Sequence, residues 1–552
     1  MSGAAIIIKE LIRQGVETVF GYPGGYVLSI YDELYNNADK IRHILTAGEQ
    51  GATFAADAYA RVSGKTGVVI ATGGPGATNL VTGIACAHLD SVPVVYITGN
   101  VAVPMLGQDS FQDIDIVGVT LPIVKHSYVV KDILHLQEVI SEAFFLANTG
   151  RKGPVHIDIP KNIQLETAYF DPDLALSASE KSAPPSDLSG LDNAVKLIEK
   201  SKKPFIYCGG GVTAASMGAE VMKLSEMLDA PVGMSLMGIG SVPQSFEKNL
   251  GMSGMHGRPA SIQAQTEADL IIAVGVRFSD RATGSAEDYA QDTAVIHMDI
   301  DPAEIGKNIR ANVSLCGDLR ETLPALIDGL HPHPPLSAWT ERIAALKAED
   351  EKPAIDGFTP QNIVACVNSC CNADTVVTTD VGQHQMWVAQ HYRFEKPRTL
   401  ISSGGLGAMG YGLGAAIGAS LSRDNAKTIL FTGDGSFGMN MNELATAVTL
   451  KLPITIILMN NSSLGMVRQW QTMFFDNRYS NSTLERKTDF PAIAEAFGAK
   501  GCEVSTIDEL RNALANAPND KPCLIECKID INEKVTPMIV PEPSLKGEFE
   551  HD

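Results

Sequence analysis

The chain has 552 residues, 45% of them hydrophobic, with 50 glycines and a formal net charge of −21. That length calls for about three or four ordinary domains. The acidic balance argues against nucleic acid or an anionic membrane surface as a partner, and the absence of a long apolar run argues against a membrane span.

The opening stretch MSGAAIIIKELIRQG has helical periodicity with Lys9 and Glu10 inside it, unlike a secretory signal. Nine cysteines without a CxxC pair read as reduced thiols rather than a disulfide or zinc framework. A soluble cytoplasmic protein is expected. Two composition shifts read as linkers: residues 171–190, rich in Pro, Ser and charge, and residues 330–360, with an amphipathic helix predicted over 339–348.

In the first block, Glu49 stands in LTAGEQGATFAADAYAR at the start of a predicted helix with an alanine-rich face. Small neighbours imply close packing, and a poorly solvated carboxyl there has a raised pKa. The plainer alternative is a first-turn glutamate favoured by the helix dipole. Residues 106–130, with Phe111 and Gln112, read as loop-rich surface. Between Arg151 and Lys161 the chain reads as turn, buried strand, turn.

The middle block opens with a strand over 204–208, followed by Gly209, Gly210 and Gly211 and a helix. Three glycines at such a turn allow close approach to a phosphate or ring. Further strands over 270–274 and 294–298 precede polar turns at Gly275–Arg281 and Asp299, the pattern of a doubly wound sheet with Asp299 set for a ribose hydroxyl.

In the third block, GLGAMG (405–410) satisfies GxGxxG, but no strand-end acid follows at the distance a ribose contact needs, so a dinucleotide site is not expected. A faint echo links the GGPGA run at 73–77, with its following strand, to the GGLGA run at 404–408, hinting at two related α/β units. Then comes GDGSFGMNMNELATAVTLKLPITIILMNN, residues 433–461. Buried strands are predicted over 428–432 and 454–459, with a helix over 442–451 between them, which makes a parallel crossover. Asp434 and Asn461 then lie on one carboxyl edge of a sheet, where α/β proteins bind ligands. A carboxylate, a carboxamide oxygen and a backbone carbonyl just beyond, at Ser463, suit Mg²⁺ completed by a diphosphate. Either pair alone would read as a turn; together they are far more specific.

This pairing resembles the thiamine-diphosphate motif, and NNSSLGMVRQWQ (460–471) is similar to the corresponding run of acetohydroxyacid synthase catalytic subunits, also called acetolactate synthase large subunits. Similar stretches run from Gly3 to about Met538. The resemblance implies an α/β chain of three doubly wound parallel-sheet domains: pyrimidine-binding over 1–170, FAD-binding-like over 186–330, and diphosphate-binding over 355–552. It implies that Glu49 binds the aminopyrimidine of thiamine diphosphate and promotes loss of the thiazolium proton. Phe111 and Gln112 would reach the site from a partner subunit, Arg151 would touch the flavin, and Lys161 would lie near the substrate entrance. Val381, Gly382, Gln383 and His384 would cradle the diphosphate, with Gly407, Gly433, Gly435 and Ser436 beside it and Met409 as the wedge that bends the cofactor. Arg281, Met466 and Trp470 would surround a second 2-oxo acid. FAD would fall to Gly209–Gly211, Met255, His256, Gly275, Arg277, Asp299 and Asp318, although Ser279 stands where the family usually has Asp.

The expected function is acetohydroxyacid synthase: decarboxylation of pyruvate on thiamine diphosphate with Mg²⁺, and transfer of the two-carbon unit to pyruvate or 2-oxobutyrate. A homodimer or homotetramer is implied, and a small regulatory subunit is common in the family. The rivals are an FAD-independent catabolic acetolactate synthase, another thiamine-diphosphate decarboxylase or oxidase, and a catalytically dead regulatory subunit. The absence of an adjacent His-His pair counts against the common decarboxylase pattern.

Overall fold

A computed structural model describes residues 1–174, 185–287, 289–331, 334–350 and 356–538. The two linker stretches fall partly outside these residues, and the run after Met538 wholly. Three six-stranded sheets follow one another along the chain, and every strand pair within them is parallel. The first holds β1 (Thr18–Tyr22), β2 (Arg42–Leu45), β3 (Gly67–Ala71), β4 (Val94–Asn100), β5 (His126–Val129) and β6 (Val155–Pro160), in the order β2-β1-β3-β4-β6-β5. The second holds β7 (Pro204–Cys208), β8 (Val232–Met234), β9 (Asn249–Met252), β10 (Leu270–Val274), β11 (Ala294–Asp299) and β12 (Val313–Cys316), in the order β12-β11-β10-β7-β8-β9. The third holds β13 (Val376–Thr379), β14 (Leu400–Ile401), β15 (Thr428–Gly433), β16 (Ile454–Asn460), β17 (Lys500–Val504) and β18 (Cys523–Lys528), in the order β14-β13-β15-β16-β18-β17.

The first and third orders are the same once the strands are renumbered, which gives the faint glycine echo a topological counterpart. The second, read from its other edge, is the 3-2-1-4-5-6 order of dinucleotide-binding sheets. Its switch point lies between β7 and β10. There Gly209 packs so closely that an added Cβ would stand 2.0 Å from the carbonyl oxygen of Gly275.

Parallel strands covered on both faces read as continuous apolar runs, and the strand predictions from such runs hold to within about two residues at each end. Two helices differ. The one predicted over 442–451 is instead Asp434–Asn440, a 3₁₀ turn Met441–Glu443 and Leu444–Thr449, so the helix begins at the GDG turn itself. The helix predicted over 339–348 spans Ser337–Asp350 and is no mere tether. Trp339, Ile343 and Leu346 are buried against Phe205 and Tyr207 of the second sheet, and the Trp339 indole donates to the Pro204 carbonyl at 3.0 Å.

The first and third units meet through helices Glu49–Ser63 and Tyr411–Leu421. Small residues bring them close: a Cβ on Gly418 would stand 1.9 Å from the carbonyl oxygen of Ala55. Asp57, Arg61 and Asp90 form a buried ion cluster beside this contact, at 2.7 and 2.8 Å, and Asp90 also accepts from the Gly404 and Gly405 amides. All nine cysteines are free, and among the described residues no helix is long and apolar enough to cross a membrane.

Several histidines are buried as neutral rings. Burial lowers His156 to about 3 and His43 and His391 to about 4. Such a group titrates first in the unfolded chain, so stability is lost as pH falls below about 6.5, each histidine contributing up to about 1.4 kcal/mol of loss for every pH step of one. Asp158, bonded to Thr98 beside His156 and raised by burial to about 6, acts in the opposite sense over part of that range. Asp299, Asp380 and Asp434, likewise raised by burial to about 6, add to that opposing side, so the histidine contribution is read as a difference. The thermal midpoint of His156→Gln is expected to rise relative to wild type as pH falls from about 6.5 to 4.5; a constant difference would assign no acid sensitivity to His156.

Candidate active site

β15 and β16 pair in register, Gly433 opposite Met459, so Asp434 and Asn461 leave the sheet at the same edge. Both are buried. Burial pushes the Asp434 carboxyl up to about 6, opposed by backbone N–H bonds from its own residue and Gly435. A buried carboxylate without a cation is costly, and a bound divalent ion would relieve it. The Asn461 amide is fixed: its Nδ2 donates to Gln383 Oε1 at 3.2 Å, while its Oδ1 accepts from the Ser463 amide at 3.1 Å and keeps a second lone pair. Among the described residues no three His, Cys, Asp or Glu side chains could hold a metal together, so an ion here needs phosphate and water ligands. That is how Mg²⁺ is commonly held.

Two buried polar atoms beside this pair, His384 Nε2 and Ser463 Oγ, have no partner among the described residues. An orphaned buried polar atom costs about 1–3 kcal/mol, so both call for a ligand or water. Burial also drives His384 down to about 3, leaving a neutral ring.

These residues line one cavity of about 1310 Å³ that runs from the third sheet to the switch point of the second. A single drug-sized ligand occupies roughly 300–1,000 Å³, so there is room for more than one cofactor. Every residue that the sequence assigned to the diphosphate, the metal or FAD lines it, from Arg151 and Gly209 to Met409 and Met466. Arg151 reaches it while paired with Asp301 and Glu304 at 3.2 and 2.8 Å, and Asp318 caps the helix Leu319–Gly329. Asp299 ends β11, its carboxyl raised by burial to about 6. The Tyr207 hydroxyl, buried at the same wall, has no partner among the described residues.

Arg281 and Trp470 line the cavity together, the guanidinium 5.6 Å from the indole centroid. Trp470 is half-buried on the helix Gly465–Phe474, one turn beyond Met466, and Arg281 keeps more than half its side chain exposed.

Four assigned residues stand elsewhere. Glu49, Phe111, Gln112 and Lys161 do not line this cavity. They gather at the carboxyl edge of the first sheet. Glu49 opens the helix Glu49–Ser63, and Asn79 Nδ2 donates to its Oε2 at 3.0 Å. The turn at Gly74 and Gly76 brings it close to Gln112: a Cβ on Gly76 would lie 3.2 Å from Glu49 Oε1, and one on Gly74 would lie 2.7 Å from Gln112 Cβ. Tyr26 donates to the Phe111 carbonyl at 2.6 Å while the Phe111 ring is 81% exposed. Lys161 follows the end of β6 and is exposed. Glu49 is half-buried rather than enclosed among the described residues.

Sequence reasoning missed the supports of the site. Asp380, fully buried at the end of β13, accepts from the Gly412 amide at 2.9 Å and Thr432 Oγ1 at 2.7 Å, tying two strands to the helix behind them. Its position after an apolar strand was the available signal. Three glutamines pin the chain near its end: Gln383 donates to the Glu533 carbonyl at 2.8 Å, Gln469 to Val535 at 2.8 Å and Gln390 to Thr536 at 3.2 Å. No local sequence pattern announces those long-range bonds.

Family models match the chain in three places: the N-terminal TPP binding domain of thiamine pyrophosphate enzymes over residues 1–119, the central domain over 191–326, and the C-terminal TPP binding domain over 380–527. The chain is 45% identical to the acetolactate synthase isozyme 2 large subunit of Escherichia coli, over 99% of this chain and 98% of that one. It is 44% identical to the acetolactate synthase large subunit of Porphyra purpurea (98% and 94% covered) and 43% to that of Corynebacterium glutamicum (98% and 88%). With three parallel sheets in the matching order and a buried strand-end Asp–Asn pair at the third, the chain belongs to the acetolactate synthase large-subunit family of thiamine pyrophosphate enzymes.

Proposed function

We propose that the chain is an acetolactate synthase that works with thiamine diphosphate, Mg²⁺ and FAD. The observation that carries this reading is the pair Asp434 and Asn461 at adjacent strand ends, with the unpartnered His384 Nε2 and Ser463 Oγ beside it. Asp434, the Asn461 oxygen and the Ser463 backbone would hold Mg²⁺, and residues 381–384 would hold the diphosphate. Bound thiamine diphosphate supplies the nucleophilic carbon and the electron sink for pyruvate decarboxylation. Met409 would act as the apolar wedge under it. Glu49 would exchange a proton with the aminopyrimidine ring, and Gln112, Phe111 and Lys161 would border the substrate.

FAD would lie along the second sheet. Its dinucleotide strand order, the close Gly209–Gly275 approach and the size of the cavity support this. A flavin absorption band in the purified protein tests it, and its absence would favour the FAD-independent alternative.

Glu49 does not line the cavity that Asp434 lines, which supports a site assembled from two copies. The first unit carries exposed Leu28, Leu45, Met105, Phe111 and Leu121, apolar area that a second copy would cover. The relatives are named large subunits, which supports a smaller regulatory partner as well.

Arg281 would hold the acceptor carboxylate through charge-assisted hydrogen bonds, and Trp470 would contact its alkyl end. One methylene in a pocket is worth about 1–3 kcal/mol, or roughly 10–200-fold. The enzyme is therefore expected to prefer 2-oxobutyrate over pyruvate as acceptor. Trp470→Leu should erase most of that preference while acetolactate still forms from pyruvate alone. Competition between the two acceptors, with both products quantified, checks this; an unchanged product ratio would make Trp470 a packing residue.

A further inference from the structure

We propose that Glu443 is a positioning residue for Glu49, acting through the backbone of the two residues before it. This rests on the reading of Glu49 as the proton-exchanging group. Glu443 closes the 3₁₀ turn Met441–Glu443 inside the crossover whose ends carry Asp434 and Asn461. Its side chain leaves that crossover, crosses into the first unit and is fully buried there. Oε1 accepts from the Gly48 amide at 3.1 Å; Oε2 accepts from the Ala47 amide at 3.2 Å and from Thr446 Oγ1 at 2.7 Å.

Those two amides need an outside acceptor. Gly48 is the N-cap of the helix Glu49–Ser63 and has no side chain with which to cap it. The leading N–H groups of a helix have no partner within it, and the approach to its first residue is set by whatever satisfies them. Here a carboxylate from the other unit accepts from the N-cap amide of Gly48 and from the Ala47 amide before it, holding the two residues that lead into Glu49.

The fit is close. A Cβ on Gly51 would lie 1.9 Å from Glu443 Oε1, so the carboxylate fills the space that a side chain at position 51 would take. Each carboxyl oxygen accepts from a backbone amide; burial pushes the carboxyl above its ordinary value, opposed by the bonds from Thr446, Ala47 and Gly48. An amide of the same shape would turn an NH₂ group toward an N–H or O–H donor. Glu443→Gln therefore breaks the clamp without opening a cavity.

The test uses the full chain and three variants. Proton exchange at the thiazolium carbon of bound thiamine diphosphate is followed by NMR in Mg²⁺, and cofactor affinity by calorimetry. Backbone amide exchange of a peptide spanning residues 44–50 is followed by mass spectrometry in the cofactor-free protein. Glu443→Gln is expected to slow cofactor proton exchange by about tenfold or more, with affinity held within about threefold, and to speed amide exchange at residues 47 and 48. Gly51→Ala keeps the carboxylate but displaces it, and should give the same two signatures even if Glu443→Gln does not fold. Glu49→Gln should slow cofactor exchange and leave the amides protected. Wild-type cofactor exchange in folded Glu443→Gln or Gly51→Ala, beside a slow Glu49→Gln, overturns the role of Glu443. So does an affinity loss that matches the loss of exchange rate. Wild-type exchange in Glu49→Gln itself removes the reading on which the role rests.

Discussion

Replacing Asp434 with alanine is expected to abolish thiamine diphosphate binding along with the metal. The carboxylate is buried and raised to about 6, so its place in the site makes sense beside a cation. Without the carboxylate the cation would keep only two neutral oxygens, those of Asn461 and the Ser463 backbone, and no cluster of acidic or imidazole groups stands in reserve among the described residues. The diphosphate would then meet only the neutral His384 ring and the backbone of residues 381–384. Removing one partner of a buried charge pair costs about 3–5 kcal/mol, or roughly 100- to 4,000-fold in affinity. Calorimetric titration of thiamine diphosphate in Mg²⁺ checks this; wild-type affinity would move the metal away from Asp434. The fold should survive, because Asp434 lies past the end of β15 and its carboxyl is met by backbone N–H groups of its own residue and Gly435.

Glu49→Gln is expected to leave the cofactor bound and to slow proton exchange at its thiazolium carbon by about 10²-fold or more, the usual range for a general acid–base group. The amide keeps the shape and can retain the Asn79 contact, but it cannot carry a proton back and forth. An unchanged exchange rate would remove Glu49 from the chemistry. The separation of Glu49 from the Asp434 cavity adds a second expectation. If two copies share each site, co-expressing the Glu49→Gln and Asp434→Ala chains gives mixed dimers with one intact site. Activity should then return to roughly a quarter of wild type, because half of randomly paired dimers are mixed and each keeps one site of two. No recovery in isolated mixed dimers would place the whole site within one chain.

The parallel sheets were legible because their strands are short apolar runs buried on both faces, such as Ile454–Asn460, with polar turns at their carboxyl ends. The edge that carries Asp434 and Asn461 followed from strand, helix and strand at crossover length. The helix start was only partly legible. Clear helical composition begins at Asn442 and the Ser436 region alone reads as an earlier opening, yet packing of Phe437 into the core holds the chain helical from Asp434 onward. The helix Ser337–Asp350 was mistaken for part of a linker because its charges outnumber its three buried positions, Trp339, Ile343 and Leu346. The segregation of Glu49 from Asp434 could not be read from order along the chain, since both stand at strand-rich carboxyl edges and only tertiary packing separates those edges. Glu443 was passed over for a related reason. A glutamate inside a crossover reads as solvent-facing until the glycine opposite it, Gly51, is seen to leave room for a carboxylate.

The central claim is that this chain joins two 2-oxo acids rather than releasing an aldehyde or oxidising one acid. The most direct measurement gives the purified chain pyruvate, thiamine diphosphate, Mg²⁺ and FAD, and quantifies carbon dioxide and every organic product. One acetolactate for each carbon dioxide released is the expected result. Acetaldehyde or acetate in place of acetolactate would contradict it.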